Sequence, residues 1–135
     1  MPILTAPEPY KGHLTLVEQD PRAAAAGGQS VLHATAVNYG PGKAGAFTLT
    51  VTLPEGVTAK GDFFPKACTV STDGHTVNCP FKAGLPLHHN ASAKVPLEID
   101  PKAVAGTLTG QLSLSSPDDP DATGHTTSFP IQITG

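Results

Sequence analysis

Between Ala46 and Leu53 apolar and polar residues alternate without a break. Phe47, Leu49, Val51 and Leu53 stand on one side, Thr48, Thr50 and Thr52 on the other. Period two with β-branched polar residues marks a strand that buries one face. The pattern recurs along the chain. Leu14 and Leu16 mark a strand from His13 to Glu18, and Val95, Leu97 and Ile99 one from Ala91 to Ile99. Leu108, Leu112 and Leu114 mark a strand from Gly106 to Ser116, and Phe129, Ile131 and Ile133 the last, from Thr126 to Thr134. Val57 to Lys60 has room for a short strand. From Ser30 to Asn38 the pattern does not choose a face. Val31, His33, Thr35 and Val37 stand on one side, Leu32, Ala34 and Ala36 on the other, as suits a strand near the middle of a packed sheet.

Turn signals separate these segments. Tyr39-Gly40-Pro41-Gly42 ends one strand and Pro54-Glu55-Gly56 another. Ala23 to Ala26 invites a helix, but Gly27-Gly28 follows at once and four residues do not overcome helix nucleation. The segment reads as a loop with at most one helical turn. Pro130 falls on the outward side of the last strand, which suits a sheet edge. Seven or eight short strands with no long helix between them predict an all-β fold, an antiparallel two-sheet Ig-like sandwich. Residues 1–12 are Pro-rich and read as an extended leader; residues 13–135 read as a single domain without internal repeat or linker.

Composition narrows the function classes. Hydrophobic residues reach 39% against 14% charged, the balance of a chain with a core. A net charge of −3 lacks the basic footprint of a nucleic-acid binder. Trp is absent and aromatics are 5%, so platforms for stacking bases or sugar rings are scarce. No apolar run is long enough for a transmembrane helix. Met1 to Pro7 lacks the basic and apolar stretches of a secretion signal, so export implies a signal already removed.

The cysteines fall around a turn. Asp73-Gly74 is a two-residue hairpin signal, because a type I′ turn needs positive φ at both positions. A turn centred there sets Ser71 opposite Thr76, Val70 opposite Val77, Thr69 opposite Asn78 and Cys68 opposite Cys79. Opposed Cα atoms lie about 4.5–5.5 Å apart, within reach of a disulfide. Counted from a two-residue turn, the Cys pair falls at a hydrogen-bonded position, where side chains diverge, and this register calls for a bulge or some strain. The wide spacing is unlike Cys-x-x-Cys and no basic group is placed to stabilise a thiolate. A structural disulfide is therefore favoured over free thiols or a redox or metal pair. A disulfide in turn favours an oxidising compartment.

Three stretches carry a family resemblance: Ala36-Val37-Asn38-Tyr39-Gly40-Pro41, then Ala44 to Leu53, then Leu53-Pro54-Glu55-Gly56-Val57. With the Cys hairpin and Ala83-Gly84-Leu85 after it, the order resembles the conserved-repeat domain of bacterial cell-surface proteins, an Ig-like module often found in tandem. The resemblance runs over residues 13–134. It implies a secreted or wall-attached module serving as spacer, adhesive or accessory domain, with no catalytic site to carry over. The chain departs in its last hairpin, Asp118 to His125, which lacks the Asn of the family's turn.

Few constellations could carry chemistry. Asp119-x-Asp121-x-Thr123-Gly124 matches the start of a calcium loop, with oxygen ligands at alternate positions and Gly at the sixth. The twelfth position is Pro130, not Glu, so the bidentate ligand is missing, and a solvated polar turn is the competing reading. Of the six histidines, His88 and His89 are adjacent and point to opposite sides in a strand. No nucleophile elbow, phosphate loop or His-Glu-x-x-His appears, so no enzyme is expected. Apart from calcium, no cofactor is implied. Phe63, Phe64, Leu85 and Leu87 are apolar residues in predicted loops. They either cap the sandwich ends or form an exposed contact patch. The function expected is a non-catalytic module that contacts a protein or cell-envelope component. The alternatives are a secreted small-ligand carrier, which would need a sizeable apolar pocket, and a calcium-stabilised surface module.

Overall fold

The computed structural model describes residues 12–17, 21–40, 42–116 and 125–134. Ten strands form two sheets: β1 (Leu14–Val17), β2 (Ala24–Ala25), β3 (Gln29–Asn38), β4 (Phe47–Thr52), β5 (Val57–Ala59), β6 (Thr69–Val70), β7 (Thr76–Phe81), β8 (Asn90–Ile99), β9 (Gly106–Ser115) and β10 (His125–Thr134). One sheet has four strands in the order β1-β3-β8-β5, the other six in the order β2-β10-β9-β4-β7-β6. Eight strands have three residues or more; β2 and β6 have two each. Among the described residues there is no helix.

The alternating positions become the core. Leu49, Val51, Leu112, Leu114 and Ile131 from the larger sheet meet Leu32, Val57, Val95, Leu97 and Ile99 from the smaller, and all belong to one buried cluster. Each such side chain gains about 1.5–3 kcal/mol from burial. The undecided strand β3 turns Leu32, Ala34 and Ala36 inward, together with Ser30 and Asn38, and leaves Val31 and Val37 half-buried on the outside. Small residues face in here because Ala34 lies opposite Ala93 and Ala36 opposite Ala91 on β8.

Two features depart from the sequence reading. Ala24 and Ala25, read as part of a loop, form β2, which pairs parallel with Ile133 and Thr134 of β10. The N-terminal segment thus changes sheets between β1 and β2, and the sandwich is not wholly antiparallel. The apolar series of β9 is interrupted at Gly110, which lies opposite Phe129. A Cβ on Gly110 would stand 2.4 Å from Phe129 Cζ, so the ring fills the place of the missing side chain. Of the proposed leader only Gly12 is among the described residues.

Candidate functional site

The Cys hairpin has the expected pairing and a different turn. Thr69 faces Asn78 and Val70 faces Val77, and a disulfide joins Cys68 to Cys79 with Cα atoms 4.1 Å apart. The loop is four residues, Thr72 to His75, not two. Ser71 N–H donates to Thr76 O at 2.8 Å and Gly74 N–H to Ser71 O at 2.9 Å. Asp73 organises it: its Oδ1 accepts from the Ser71 hydroxyl at 2.6 Å and from His75 N–H at 3.0 Å. The Ser71 hydroxyl bond and then the His75 amide hold the Asp73 carboxyl below the ordinary carboxylate range. Gly74 alone takes positive φ, 78°.

Closing the loop one pair later leaves every partner unchanged but shifts the hydrogen-bond phase. Ser71 and Thr76 become the bonded pair, so by alternation Cys68 and Cys79 fall at a non-bonded position, where strands approach more closely. The bulge or strain expected from a two-residue turn is not needed. Both cysteines are buried in the core cluster. The bridge clamps β6 to β7 within one sheet, at its edge.

The four apolar loop residues do not form one patch. Phe63 and Leu85 pack half-buried against the core, and Leu85 is fixed by an antiparallel bridge to Ala44. Leu87, 39% exposed, lies in the loop with His88, whose ring meets Tyr39 edge-on at 6.4 Å. Phe64, 59% exposed, sits elsewhere, opposite Lys94 of β8. Two backbone bonds hold it there, Phe64 N–H to Lys94 O at 3.0 Å and Lys94 N–H to Phe64 O at 2.8 Å. After β5, Lys60 N–H still bonds Pro96 O at 3.1 Å. The chain then bulges through Gly61 to Phe63 and rejoins the sheet edge at Phe64.

That arrangement gives the four-stranded sheet an outer face of mixed character. His33, Lys94 and Phe64 stand in one row and Val31 and Pro96 in the next, in line with Lys60. Val31, Val37 and Pro96 are half-buried there rather than inward. The sequence hinted at this face in the alternation of Val31, His33, Thr35 and Val37, but could not place Phe64 or Lys60 beside it. Three depressions of about 320, 450 and 590 Å³ run together across it, sharing Gln29, Ser30 and Val31 at one junction and Gly61 and Asp62 at the other.

The outer face of the six-stranded sheet is its opposite. Thr69, Asn78, Thr50, Ser113 and Thr126 stand side by side across five strands. Thr76, Thr52, Gln111 and Ser128 form the next row. Thr50 Oγ1 donates to Asn78 Oδ1 at 2.8 Å. Among the described residues no ionisable side chain interrupts these rows. At one end of this sheet lies an apolar depression of about 510 Å³, lined by Ala46, Pro65, Ala67, Pro80, Phe81 and Lys82. Phe81 stacks on Phe47 at 4.8 Å beneath it.

The calcium candidates Asp119, Asp121 and Thr123 lie outside the described residues. Among the described residues no three His, Cys, Asp or Glu side chains come together as a metal-holding group. Among them, too, no helix is long and apolar enough to cross a membrane.

The sequence matches no protein-family model, and no curated protein is similar to it. Solved structures are similar in fold. The cohesin domain CaCohA2 of Clostridium acetobutylicum superposes with a TM-score of 0.64 at 15% identity, over 93% of this chain and 92% of that one. The third ScaC cohesin of Acetivibrio cellulolyticus, solved in complex with the ScaB dockerin, gives 0.65 at 13% identity, over 90% and 100%. The collagen-binding domain of a Staphylococcus aureus adhesin gives 0.55 at 8% identity, over 90% and 96%. The chain therefore has an Ig-like β-sandwich fold. At these identities the likeness is one of fold alone.

Proposed function

We propose that this chain is a non-catalytic, extracellular interaction module of a bacterial protein, and that it contacts a protein partner through the outer face of the four-stranded sheet. One observation carries the reading. Phe64 is held by paired backbone bonds with its side chain 59% exposed, opposite Lys94 and on the same outer face as half-buried Val31 and Pro96. An exposed aromatic anchor on a rigid sheet, next to apolar side chains and ringed by charge, has the make-up of an interface hot spot. The fold supports it, since the similar structures include a cohesin in complex with a dockerin and a collagen-binding domain. The buried disulfide suits an oxidising compartment. The motif resemblance to the conserved-repeat modules suits a secreted or wall-attached parent, with the module as adhesive, accessory or spacer.

The test uses immobilised protein and a fractionated cell-envelope extract, with each captured component then purified and titrated. F64A and V31K should abolish capture, while T50K on the hydroxyl face should leave it intact. Capture lost with T50K and kept with F64A would move the contact to the other sheet. No saturable partner for any form would favour a spacer.

A second reading has its own observation. The apolar depression beside Pro80 and Phe81 is the kind of site a small-ligand carrier needs. Filling it with A46F should abolish uptake of an apolar dye such as ANS if it is a binding cleft, and leave dye fluorescence unchanged if it is not.

A further inference from the structure

The three joined depressions on the outer face of the four-stranded sheet are lined unevenly in charge. Arg22 and His33 stand at one side, Lys60 and Lys94 in the middle and Lys66 at the far side, with Asp62 the one carboxylate among the lining residues. Glu98 stands one row beyond, opposite Gln29. Among the described residues none of these cations is held in an ion pair. Four full positive charges thus line one groove on a chain whose net charge is −3. Between them the floor is mixed: Val31 and Pro96 supply apolar surface beside Gln29 and Ser30.

We infer that this groove takes an extended, acidic polypeptide segment whose carboxylates meet Lys60, Lys94, Arg22 and Lys66 and whose apolar side chains rest on Val31, Pro96 and Phe64. The inference rests on the reading of this face as the contact surface and names the chemistry of the partner. Unpaired cations on the rim steer and orient an anionic partner. The apolar part of that floor, Val31 and Pro96, argues for polypeptide, because a phosphate polymer has nothing to place on it. Strands β3, β8 and β5 lie about 4.8 Å apart, so the crossing from the first to the third spans about 10 Å, roughly three extended residues at about 3.3 Å each.

The probe is a fluorescein-labelled peptide of alternating Glu and Leu, titrated by anisotropy against the full chain. Matched probes alternate Lys with Leu or carry Glu alone, and inorganic polyphosphate serves as competitor. The Glu/Leu peptide should bind. Its affinity should fall about tenfold for the K60E/K94E double variant, and by a similar factor as salt rises from about 0.05 to 0.5 M, where screening shortens the reach of exposed charges. F64A should weaken it at all salt concentrations. Equal binding of the Lys/Leu peptide, indifference to charge reversal, no binding at all, or equal displacement by polyphosphate would each overturn the inference. The envelope capture separates its failure from that of the wider reading. Capture that F64A abolishes but K60E/K94E does not would remove the acidic occupant and leave the contact face standing. Both variants keep their substitutions on the exposed face, and circular dichroism checks that each is folded.

Discussion

Asn38 is fully buried and uses all four of its hydrogen-bonding positions. Its Nδ2 donates to Gly42 O at 2.8 Å and to Leu85 O at 2.9 Å. Its Oδ1 accepts from His13 N–H at 3.1 Å and Gly40 N–H at 3.0 Å. One side chain therefore ties the approach to β1, the end of β3 and two loops. Truncation in N38A removes four hydrogen bonds at once, although Leu85 O keeps the one it accepts from Ala44 N–H at 2.9 Å. Each bond is worth about 0.5–1.5 kcal/mol net, more where water cannot follow, so the expected loss is about 2–5 kcal/mol, read from urea unfolding. N38D tests the geometry more sharply. It keeps the acceptor but sets a carboxylate oxygen against the carbonyls of Gly42 and Leu85, so its folded pKa must rise above the unfolded value of about 3.9. A raised folded pKa means that stability is fully present below the unfolded pKa and is lost as pH climbs through the folded one. N38D should therefore lie below N38A at neutral pH and recover toward the wild type near pH 4. An N38D protein within about 0.5 kcal/mol of wild type at pH 7, which surface substitutions commonly show, would refute the account.

Three further outcomes follow from the packing. G110A pushes a methyl into the Phe129 ring. Urea midpoints should report a loss of about 1–3 kcal/mol, the range for overpacking, partly restored by F129L; an unchanged midpoint would mean the ring moves freely. Replacing both Cys68 and Cys79 with Ala should cost about 2–3 kcal/mol for so short a loop, yet leave cross-strand contacts of Thr69 with Asn78 visible by NMR, because the turn specifies that register unaided. Loss of those contacts would make the bridge the cause of the hairpin. The lowered carboxyl of Asp73 adds a pH dependence. Its contribution is present above the ordinary carboxylate range and lost as pH falls through the folded pKa. Amide exchange in Ser71 to Thr76, corrected for intrinsic rate, should accelerate below that point in the wild type and be flat in D73N.

Strands that bury one face were legible because period two is written into single residues. Phe47 to Leu53 and Phe129 to Ile133 needed no tertiary information. Strand β3 was legible as a strand but not as a face, since Leu-Ala-Ala and Val-His-Val are both tolerable inward. The choice was made by Ala93 and Ala91 across the ladder, which no local pattern reveals. The Cys pairing was legible and its phase was not. Two-residue and four-residue loops about Asp73-Gly74 give the same partners, and the wider one is marked by side-chain bonds within the turn, the Ser71 hydroxyl to Asp73 and Thr76 N–H to Ser71 Oγ, which the Asp-Gly signal does not encode. Ala24 and Ala25 became a strand because β10 offered a free edge, an opportunity invisible in four alanines.

The candidate site was the least legible part, for a reason that also favours its assignment. A contact face on a sheet draws its residues from strands distant in sequence. Val31, Phe64 and Lys94 meet only through the order β3-β8-β5 and the bulge after Lys60. Each alone reads as an ordinary strand or loop residue. The two outer faces then differ in a way that burial does not require. The six-stranded sheet meets water with hydroxyls and amides, which is sufficient for solubility. The four-stranded sheet carries exposed Phe64 and half-buried valines in an equally solvated position, where threonine would satisfy the fold as well. That difference is what the proposed contact rests on: apolar area in solvent suits a partner, and the cations around it suit one of negative charge.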